Sequence, residues 1–175
     1  LNRNYDFLWD FQKFFHPQAP VRTSADPCDE GQTYRGPAAF SEPETKNVKW
    51  LIDNNPTIKY HIDIHSFSQL ILYCWGDDQN QTVDPEMNLA NPIYDKKRGL
   101  GGNNYKEYVS PEDLSAITSL ANRMHDGIFA VNQNNYDVQS GYDLYPTSGT
   151  GQDYSHSRHY STNNKIIGFT IEFEK

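Results

Sequence analysis

The clearest alternation of apolar and polar positions along the chain lies in residues 58–64, and it predicts a short β-strand there. The apolar positions of this run are Tyr60, Ile62 and Ile64. His65 follows at once and leads into a polar segment, 66–69, before a second apolar run at 70–73. A histidine at the end of a buried strand lies at the rim of a sheet, where open sheets bind ligands. His65 is therefore either a ligand-binding residue or a core histidine bonded to a backbone carbonyl.

A first helix is predicted over residues 41–53. Ser41 and Glu44 have the spacing of a capping box, and Pro43 suits the first turn of a helix. The apolar face is formed by Val48, Leu51 and Ile52. The Asn-Asn-Pro sequence at 54–56 ends the helix, because proline does not continue one. A helix followed directly by a strand is the αβ step of an α/β protein.

A second helix is predicted after Ser110, which is suited to be its N-cap, with Pro111 at the first helical position. Its apolar stripe consists of Leu114, Ile117, Ala121, Met124, Ile128 and Val131. His125 lies at the flank of this stripe and is interpreted as a helix-surface residue rather than a metal ligand.

Two further strands are predicted near 136–139 and over 166–173, separated in part by a Gly/Ser/Pro-rich loop at 141–151. In the last strand Phe169, Ile171 and Phe173 share one side, and Gly168, Thr170 and Glu172 share the other. The carboxylate of Glu172 therefore lies either on a solvated face or in a pocket.

Two long segments show no sustained period. Residues 1–36 contain several aromatic side chains, which we expect to anchor an irregular loop on the core, and a turn cluster at 26–31. Residues 76–108 are rich in Asp, Asn, Gln, Gly and Pro. So long a stretch without regular structure is more often a functional surface loop than a linker.

Length and charge narrow the classes of protein. The 175 residues suffice for one domain, and a net charge of −8 disfavours a nucleic-acid surface. No apolar run approaches the roughly 20 residues that span a bilayer, so no membrane partner is expected. Because the chain opens at Leu1 without a methionine or leader, we expect it to be a cut chain. Cys74 fits a buried thiol and Cys28 a thiol whose partner lies upstream, although the two could also pair with each other.

Six short motifs occur along the chain in a recognisable order. They are Leu-Asn-Arg-Asn at 1–4, Thr-Tyr-Arg-Gly-Pro at 33–37, Phe-Ser-Glu-Pro-Glu-Thr at 40–45, His-Ser-Phe-Ser-Gln at 65–69, Tyr145 with its Ser-Gly loop, and Phe-Thr-Ile-Glu at 169–172. Together they resemble the motifs of zinc metallocarboxypeptidases of the pancreatic carboxypeptidase A type, over nearly the whole chain. Six ordered motifs are far more specific than any one of them.

The resemblance implies a role for each matching residue. His65 matches the third zinc ligand, and neutral imidazole is a good zinc donor. Glu172 matches the general base that takes a proton from the attacking water. Asn2 and Arg3 match the pair that grips the free C-terminal carboxylate of the substrate. Tyr145 matches a tyrosine on a mobile loop that closes over the bound C-terminal residue.

Gln152 matches the position at which the family sets its preference for the C-terminal side chain. An apolar residue there would suit apolar substrates and an aspartate would suit Lys or Arg, so the preference of this chain stays open. The match is loosened by an insertion between Asp153 and Glu172. His156 and His159 lie in this insertion and are interpreted as surface polar residues.

The family's first two zinc ligands come as His-x-x-Glu upstream of the Asn-Arg pair, and these 175 residues contain no such motif. We therefore expect residues 1–175 to be a partial catalytic domain, the C-terminal half of a mixed eight-stranded α/β sheet with flanking helices. Alone it would bind Zn²⁺ weakly and be inactive, because one imidazole cannot hold catalytic zinc. An uncovered sheet edge would favour association.

The resemblance thus implies a secreted, zinc-dependent metallocarboxypeptidase that hydrolyses the C-terminal peptide bond of peptides and proteins with a free C-terminal carboxylate. Two alternatives remain open at this point. One is an amidase acting on cell-wall peptides or acyl-amino acids, and the other is a non-catalytic module that retains carboxylate binding.

Overall fold

A computed structural model describes residues 1–28 and 32–173 of the chain. Residues 29–31, which form half of the turn cluster predicted at 26–31, lie outside the described residues. Among the helices of the described ranges, none combines the length and the apolar character needed to cross a membrane.

The described elements comprise six α-helices, one 3₁₀ turn and six strands. The helices are α1 (Phe11–Phe14), α2 (Pro43–Asn54), α3 (Pro111–Asn132), α4 (Gly141–Leu144), α5 (Gly151–Ser157) and α6 (His159–Thr162), with a 3₁₀ turn at Pro92–Tyr94. The strands are β1 (Tyr60–Ser66), β2 (Leu70–Tyr73), β3 (Asn80–Gln81), β4 (Glu107–Tyr108), β5 (Asp137–Ser140) and β6 (Ile167–Phe173). The loop predicted at 141–151 is therefore partly helical, since α4 and the start of α5 fall within it.

In the described part of the chain, β1, β6, β2 and β5 form a four-stranded mixed sheet in that order. β1 and β6 are parallel, β6 and β2 antiparallel, and β2 and β5 parallel. Strands β3 and β4 pair separately. The predicted α/β class with a mixed sheet and flanking helices is confirmed.

The burial of β1 is the reverse of what its apolar alternation suggests. Tyr60, Ile62 and Ile64 are 59%, 47% and 58% exposed, whereas the polar side chains between them are half-buried. The reason is that α5 packs on β6 and β1, while β1 has β6 on one side and no described strand on the other. The polar face of β1 is thus the one that faces the interior.

The apolar core lies between the sheet and α3. Ile117 and Ala121 of α3 are fully buried in one cluster with Ile71 of β2 and Phe169 of β6. The predicted apolar stripe of α3 is buried or half-buried except at its last member, Val131, which is 86% exposed. The N-terminal aromatics pack as predicted. Those that are buried include Tyr5, Phe7 and Phe15.

The two predicted helix starts differ in outcome. Ser110 caps α3 as predicted, since its Oγ accepts a hydrogen bond from the Asp113 backbone N–H at 3.1 Å. At α2 the capping box is wrong, because the helix begins after Glu42 and has no side-chain cap. Ser41 instead accepts from Nδ2 of the buried Asn4 at 2.9 Å. The need of Asn4 for partners outweighs the local capping pattern.

The long segment 76–108 is organised by a buried guanidinium. Arg98 has no exposed side-chain surface and lies 3.1 Å from Asp95, 3.8 Å from Glu107 and 4.0 Å from Asp77. Burial raises the pKa of both Asp77 and Glu107, and the nearby Arg98 opposes that rise. Much of the predicted surface loop is therefore held by an interior polar network.

Within residues 1–28 and 32–173, Cys28 and Cys74 are free thiols that do not pair with each other. Cys74 is fully buried, as predicted, and Cys28 is exposed. Burial raises the pKa of the Cys74 thiol well above its usual range, so this thiol behaves as a small apolar core group.

Candidate active site

One cavity of 590 Å³ opens beside the polar face of β1 and β6. The structure places all the residues to which the sequence assigns a role around it: Asn2, Arg3, His65, Tyr145, Gln152 and Glu172. They come from the N-terminal turn, two strands, the segment after α4 and the first turn of α5. Residues distant in sequence thus share one cavity.

The two candidate reacting side chains are brought together by the register of parallel strands. His65 of β1 lies opposite Glu172 of β6, and both side chains point to the face that α5 covers. His65 Nδ1 lies 3.3 Å from Glu172 Oε1. Both side chains remain partly accessible, at 25% and 17% of their surface. Glu172 therefore lies in a pocket and not on a solvated face.

Asp63 is a site residue to which the sequence analysis gave no role. Its Oδ2 lies 3.0 Å from Nε2 of His65. Hydrogen bonds to Asp63 and Glu172 raise the pKa of His65 to about 9. Burial favours a higher pKa for Asp63, but hydrogen bonding to His65 prevails and lowers it. The available signal was the two-residue spacing, which puts Asp63 and His65 on one face of a strand.

The Asn-Arg pair is fixed at the cavity wall. Asn2 Oδ1 accepts a hydrogen bond from the Gly151 backbone N–H at 2.6 Å, which leaves the Asn2 amide donors for other partners. Arg3 Nη2 donates to the Tyr145 hydroxyl at 3.3 Å, and Arg3 Nε donates to the Arg22 carbonyl at 2.8 Å. Burial lowers the pKa of the Arg3 guanidinium, although its ordinary value is so high that it stays charged.

Tyr145 has a second cationic neighbour that sequence reasoning missed. The Arg22 guanidinium lies 4.4 Å from the centre of the Tyr145 ring, closer than that of Arg3 at 5.9 Å. A cation over an aromatic face is attracted by the ring quadrupole. The described contacts thus hold Tyr145 between the N-terminal segment and the cavity.

The segment after Tyr145 is tied down rather than loose. Thr147 N–H donates to the Gly76 carbonyl at 2.7 Å, and Gly149 N–H donates to the Phe7 carbonyl at 2.8 Å. Gly149 has a φ of +66°, and an added Cβ would lie 2.2 Å from the Arg3 carbonyl oxygen. These contacts hold the backbone of residues 147–149 against Gly76 and the N-terminal segment.

The cavity floor is polar and neutral. Gln152 Oε1 accepts a hydrogen bond from the Thr170 hydroxyl at 2.6 Å, and both side chains are buried. The backbone of Gln152 packs directly on Gly168, where a Cβ would lie 2.4 Å from the Gln152 carbonyl oxygen. The described residues thus fix the Gln152 amide with its oxygen occupied by Thr170.

The interpretation of His156 as a surface residue is wrong. Its side chain is fully buried in α5, 5.0 Å from the Trp75 ring centre, and its Nδ1 lies 3.3 Å from the Ile166 carbonyl. Burial lowers the pKa of His156 to about 4, so its ring is neutral at pH 7. His159 is half-buried and its pKa is also lowered by burial.

The surroundings of His65 fit one ligand of a zinc site. A metal-binding histidine usually donates its other ring N–H to a carboxylate, which is the place that Asp63 takes. Over residues 1–28 and 32–173, however, no three His, Cys, Asp or Glu side chains come together in a way that could hold a metal ion. His65 therefore fits as one member of a ligand set that needs further donors.

The fold and this cavity define a mixed α/β protein with an imidazole, a carboxylate and a guanidinium at one edge of its sheet. Residues 1–175 match the sequence profile of a family described as zinc carboxypeptidase. The chain therefore belongs to the zinc carboxypeptidase family, as its motifs predicted.

Individual relatives agree with this assignment. The chain is 30% identical to a zinc carboxypeptidase of Simulium vittatum over 173 residues, 98% of this chain and 42% of that protein. It is 26% identical to carboxypeptidase B of Astacus astacus over 156 residues, 88% of this chain and 38% of the relative. The chain thus spans less than half the length of these relatives.

Solved structures show the same fold. The crystal structure of carboxypeptidase A from Helicoverpa armigera matches with a TM-score of 0.61 at 21% identity, over 99% of this chain and 32% of that one. Bovine thrombin-activatable fibrinolysis inhibitor, solved in complex with a tick carboxypeptidase inhibitor, matches with a TM-score of 0.61 over 100% of this chain and 45% of that one.

Proposed function

We propose that this chain forms the proton-transfer and substrate-binding part of a zinc-dependent metallocarboxypeptidase that removes the C-terminal residue from peptides and proteins. The observation that carries the proposal is the pairing of His65 with Glu172 across β1 and β6, 3.3 Å apart in the cavity that Arg3 also lines. An imidazole, an acid and a guanidinium are the groups that this hydrolysis requires.

Glu172 is proposed as the general base. Its carboxylate takes a proton from the water that attacks the scissile carbonyl and returns it to the leaving amine. His65 is proposed as a zinc ligand through Nδ1, with Nε2–H held by Asp63. When bound, zinc supplies a Lewis acid that polarises the carbonyl.

Arg3 and Asn2 are proposed to orient the substrate. A guanidinium matches the planar geometry of a carboxylate and donates two parallel hydrogen bonds to it. In the described structure Arg3 Nη2 donates to Tyr145 instead. Binding of a C-terminal carboxylate would therefore compete for this donor and couple substrate entry to the position of Tyr145.

Gln152 is proposed to contact the C-terminal side chain of the substrate. Because its oxygen is bonded to the Thr170 hydroxyl, its amide N–H groups are the part left to face a ligand. A neutral donor at the pocket floor suits C-terminal side chains that accept hydrogen bonds. It offers no carboxylate for Lys or Arg.

The test places this chain in a complete polypeptide that also supplies the remaining zinc ligands. We expect that protein to hold one zinc ion, measured by plasma mass spectrometry, and to release free amino acids from peptides. Residues 1–175 alone should bind zinc weakly and release none. Membership of this family also suggests that the protein is secreted. Detection of the tagged protein in the culture medium tests this.

Two variants of the complete protein separate the proposed roles. Glu172→Gln should keep its zinc and lose at least a hundredfold in kcat, whereas activity near that of the unmodified protein removes Glu172 from the base role. Arg3→Ala should raise KM for peptides with a free C-terminus and leave amidated peptides unaffected. An equal effect on both would favour an amidase, and zinc-free protein that still binds carboxylates would favour a binding module.

A further inference from the structure

A histidine on the inner face of β1, His61, makes a polar contact that the proposed hydrolysis does not use. It lies on the same face of the strand as Asp63 and His65, because side chains two residues apart point to the same side of a strand. Its ring is half-buried, and its Nδ1 lies 2.6 Å from the hydroxyl oxygen of Ser155 in α5. Ser155 is fully buried. The inner face of β1 is therefore bonded directly to α5.

The hydroxyl of Ser155 fixes the direction of this bond. Its Oγ donates to the Gly151 carbonyl oxygen at 2.9 Å, one turn earlier in α5. A serine hydroxyl has one proton, so both bonds form together only if the Ser155 oxygen accepts from a protonated His61 Nδ1. Burial lowers the pKa of His61, and the ring is therefore neutral at pH 7 with its proton on Nδ1.

The series of hydrogen bonds continues to the Asn-Arg pair at the cavity wall. The backbone N–H of Gly151 donates to Asn2 Oδ1 at 2.6 Å. This N–H is one of those that the start of a helix leaves without an intrahelical partner, so its direction depends on how α5 is docked. Because the amide oxygen of Asn2 is held, its NH₂ group is the part that can donate to a carboxylate.

The strand beside β1 lets α5 approach at the same level. His61 is paired with Gly168 of β6 in the parallel register. Gly168 has no side chain, and an added Cβ would lie 2.4 Å from the Gln152 carbonyl oxygen in α5. The start of α5 is therefore docked at adjoining positions of two strands, by close packing on β6 and by the hydrogen bond from His61 on β1.

We propose that His61 is a positioning residue for substrate binding. Through Ser155 it fixes the start of α5, so that the Gly151 N–H holds Asn2 with its amide donors available to the substrate carboxylate. This role rests on the proposed function, since it requires Asn2 to bind that carboxylate. His61 does not line the cavity, so its loss should weaken binding and have little effect on the chemical step.

Two substitutions in the complete protein test the role of the His61 donor. His61→Leu removes it, whereas His61→Asn keeps it, because the amide nitrogen of asparagine is as many bonds from the backbone as histidine Nδ1. In His61→Leu, KM for peptides with a free C-terminus should rise about fivefold to tenfold, with kcat and bound zinc within about twofold. His61→Asn should restore KM to within about twofold of that of the unmodified protein. His125→Leu, on the surface of α3, is the control and should change neither constant.

A double-mutant cycle shows whether the effect passes through Asn2. Asn2→Ala alone should raise KM, and adding His61→Leu to it should raise KM by less than about a further twofold. An equal effect of His61→Leu with and without Asn2 would overturn the proposal. So would a His61→Asn variant that binds substrate as weakly as His61→Leu.

A second readout is independent of hydrolysis. In the chain labelled with ¹⁵N-glycine, the Gly151 amide proton should exchange with solvent at least about tenfold faster in His61→Leu than in His61→Asn. The amide of Gly127 in α3 should exchange equally in both, and circular dichroism checks that both are folded. Equal exchange at Gly151 contradicts the proposal even if the complete protein hydrolyses peptides. A response at Gly151 without any hydrolysis by the complete protein would overturn the proposed function and the role in binding, but not the series of hydrogen bonds.

Discussion

At the scale of single residues, the candidate active site depends on a carboxylate on each side of one imidazole. Asp63 lies 3.0 Å from Nε2 of His65 and Glu172 lies 3.3 Å from Nδ1. The two acids cannot have the same role, because only one ring nitrogen can bind a metal while the other keeps its proton. The contact at Nε2 supports a positioning role for Asp63 and leaves Nδ1 facing Glu172 and the cavity.

Asp63→Asn tests that assignment. An amide keeps the shape of the side chain and removes the charge that supports the Nε2–H tautomer. We expect zinc affinity of the complete protein, measured by competition with a chelator, to fall about 10- to 100-fold. Asp126→Asn, on the exposed surface of α3, is the matched control. Unchanged affinity in Asp63→Asn would contradict the positioning role.

At the scale of elements, the cavity exists because α5 lies directly on the polar face of β1 and β6. Gly168 permits this approach, since any larger residue at that position of β6 would meet the Gln152 backbone. Gln152 in turn reaches Thr170 two residues along the same strand. The close packing of α5 therefore sets both the depth of the cavity and the position of its floor.

Gly168→Ala should disturb the site through packing alone. Its Cβ would lie 2.4 Å from the Gln152 carbonyl oxygen and 2.7 Å from the Gln152 Cα, so α5 must move. Overpacking of this kind costs about 1–3 kcal/mol of unfolding free energy, measured with urea. Gly127→Ala in α3 is the control, since nothing lies within 4 Å of its added Cβ. It should be neutral or stabilising by up to about 1 kcal/mol.

The elements that sequence predicted well are those whose local signals agree with their surroundings. α3 begins at Pro111 with Ser110 as its N-cap, as expected, and β6 begins at Ile167, one residue after its predicted start. The capping box at Ser41 failed because a distant residue, Asn4, bonds that hydroxyl. Alternation on β1 located the strand but not its inner face, since burial depends on which side α5 packs.

The candidate site was likewise predictable from the sequence only in part. The motifs brought His65, Glu172 and Arg3 to attention, but only the parallel register of β1 and β6 shows that the first two lie side by side. Arg22 could not be found from the sequence, because its contact with the Tyr145 ring joins two irregular segments. His156 was interpreted wrongly because it lies in an insertion relative to the family pattern, and an insertion suggested a surface position.

At the scale of the whole molecule, an acidic chain buries several of its acids. Asp153 is fully buried next to the cavity, and its Oδ2 accepts from the Thr150 hydroxyl at 2.5 Å. Burial raises the pKa of Asp153 to about 8, against the opposing effect of that hydrogen bond. The folded chain thus holds a proton on Asp153 at pH values where the unfolded chain has lost it.

Asp153→Asn should therefore change how stability depends on pH. Between about pH 4 and pH 8 the unfolded chain has released the Asp153 proton and the folded chain has not, so rising pH favours unfolding. The unmodified chain should lose stability relative to the variant by at most about 1.4 kcal/mol per pH unit, and the difference should level off above about pH 8. Urea unfolding at pH 5, 6, 7 and 8 measures it. A difference that is constant, or that changes in the opposite direction, would show that Asp153 is ionised in the folded chain.

The edge of the sheet at β1 is a second feature of the whole molecule, because it exposes an apolar strand. β1 pairs with β6 on one side, and in the described chain its other backbone edge has no strand beside it. Its outward side chains Tyr60, Ile62 and Ile64 are about half exposed. An apolar edge strand of seven residues is a template for pairing with a second copy.

We expect the 175-residue chain to self-associate with rising concentration in sedimentation velocity, and the double variant Ile62→Lys, Ile64→Lys to stay monomeric. Val131→Lys, at an exposed position of α3, should associate like the unmodified chain. If the unmodified chain stays monomeric, or if the double variant associates equally, then the edge of β1 is not the surface through which copies meet.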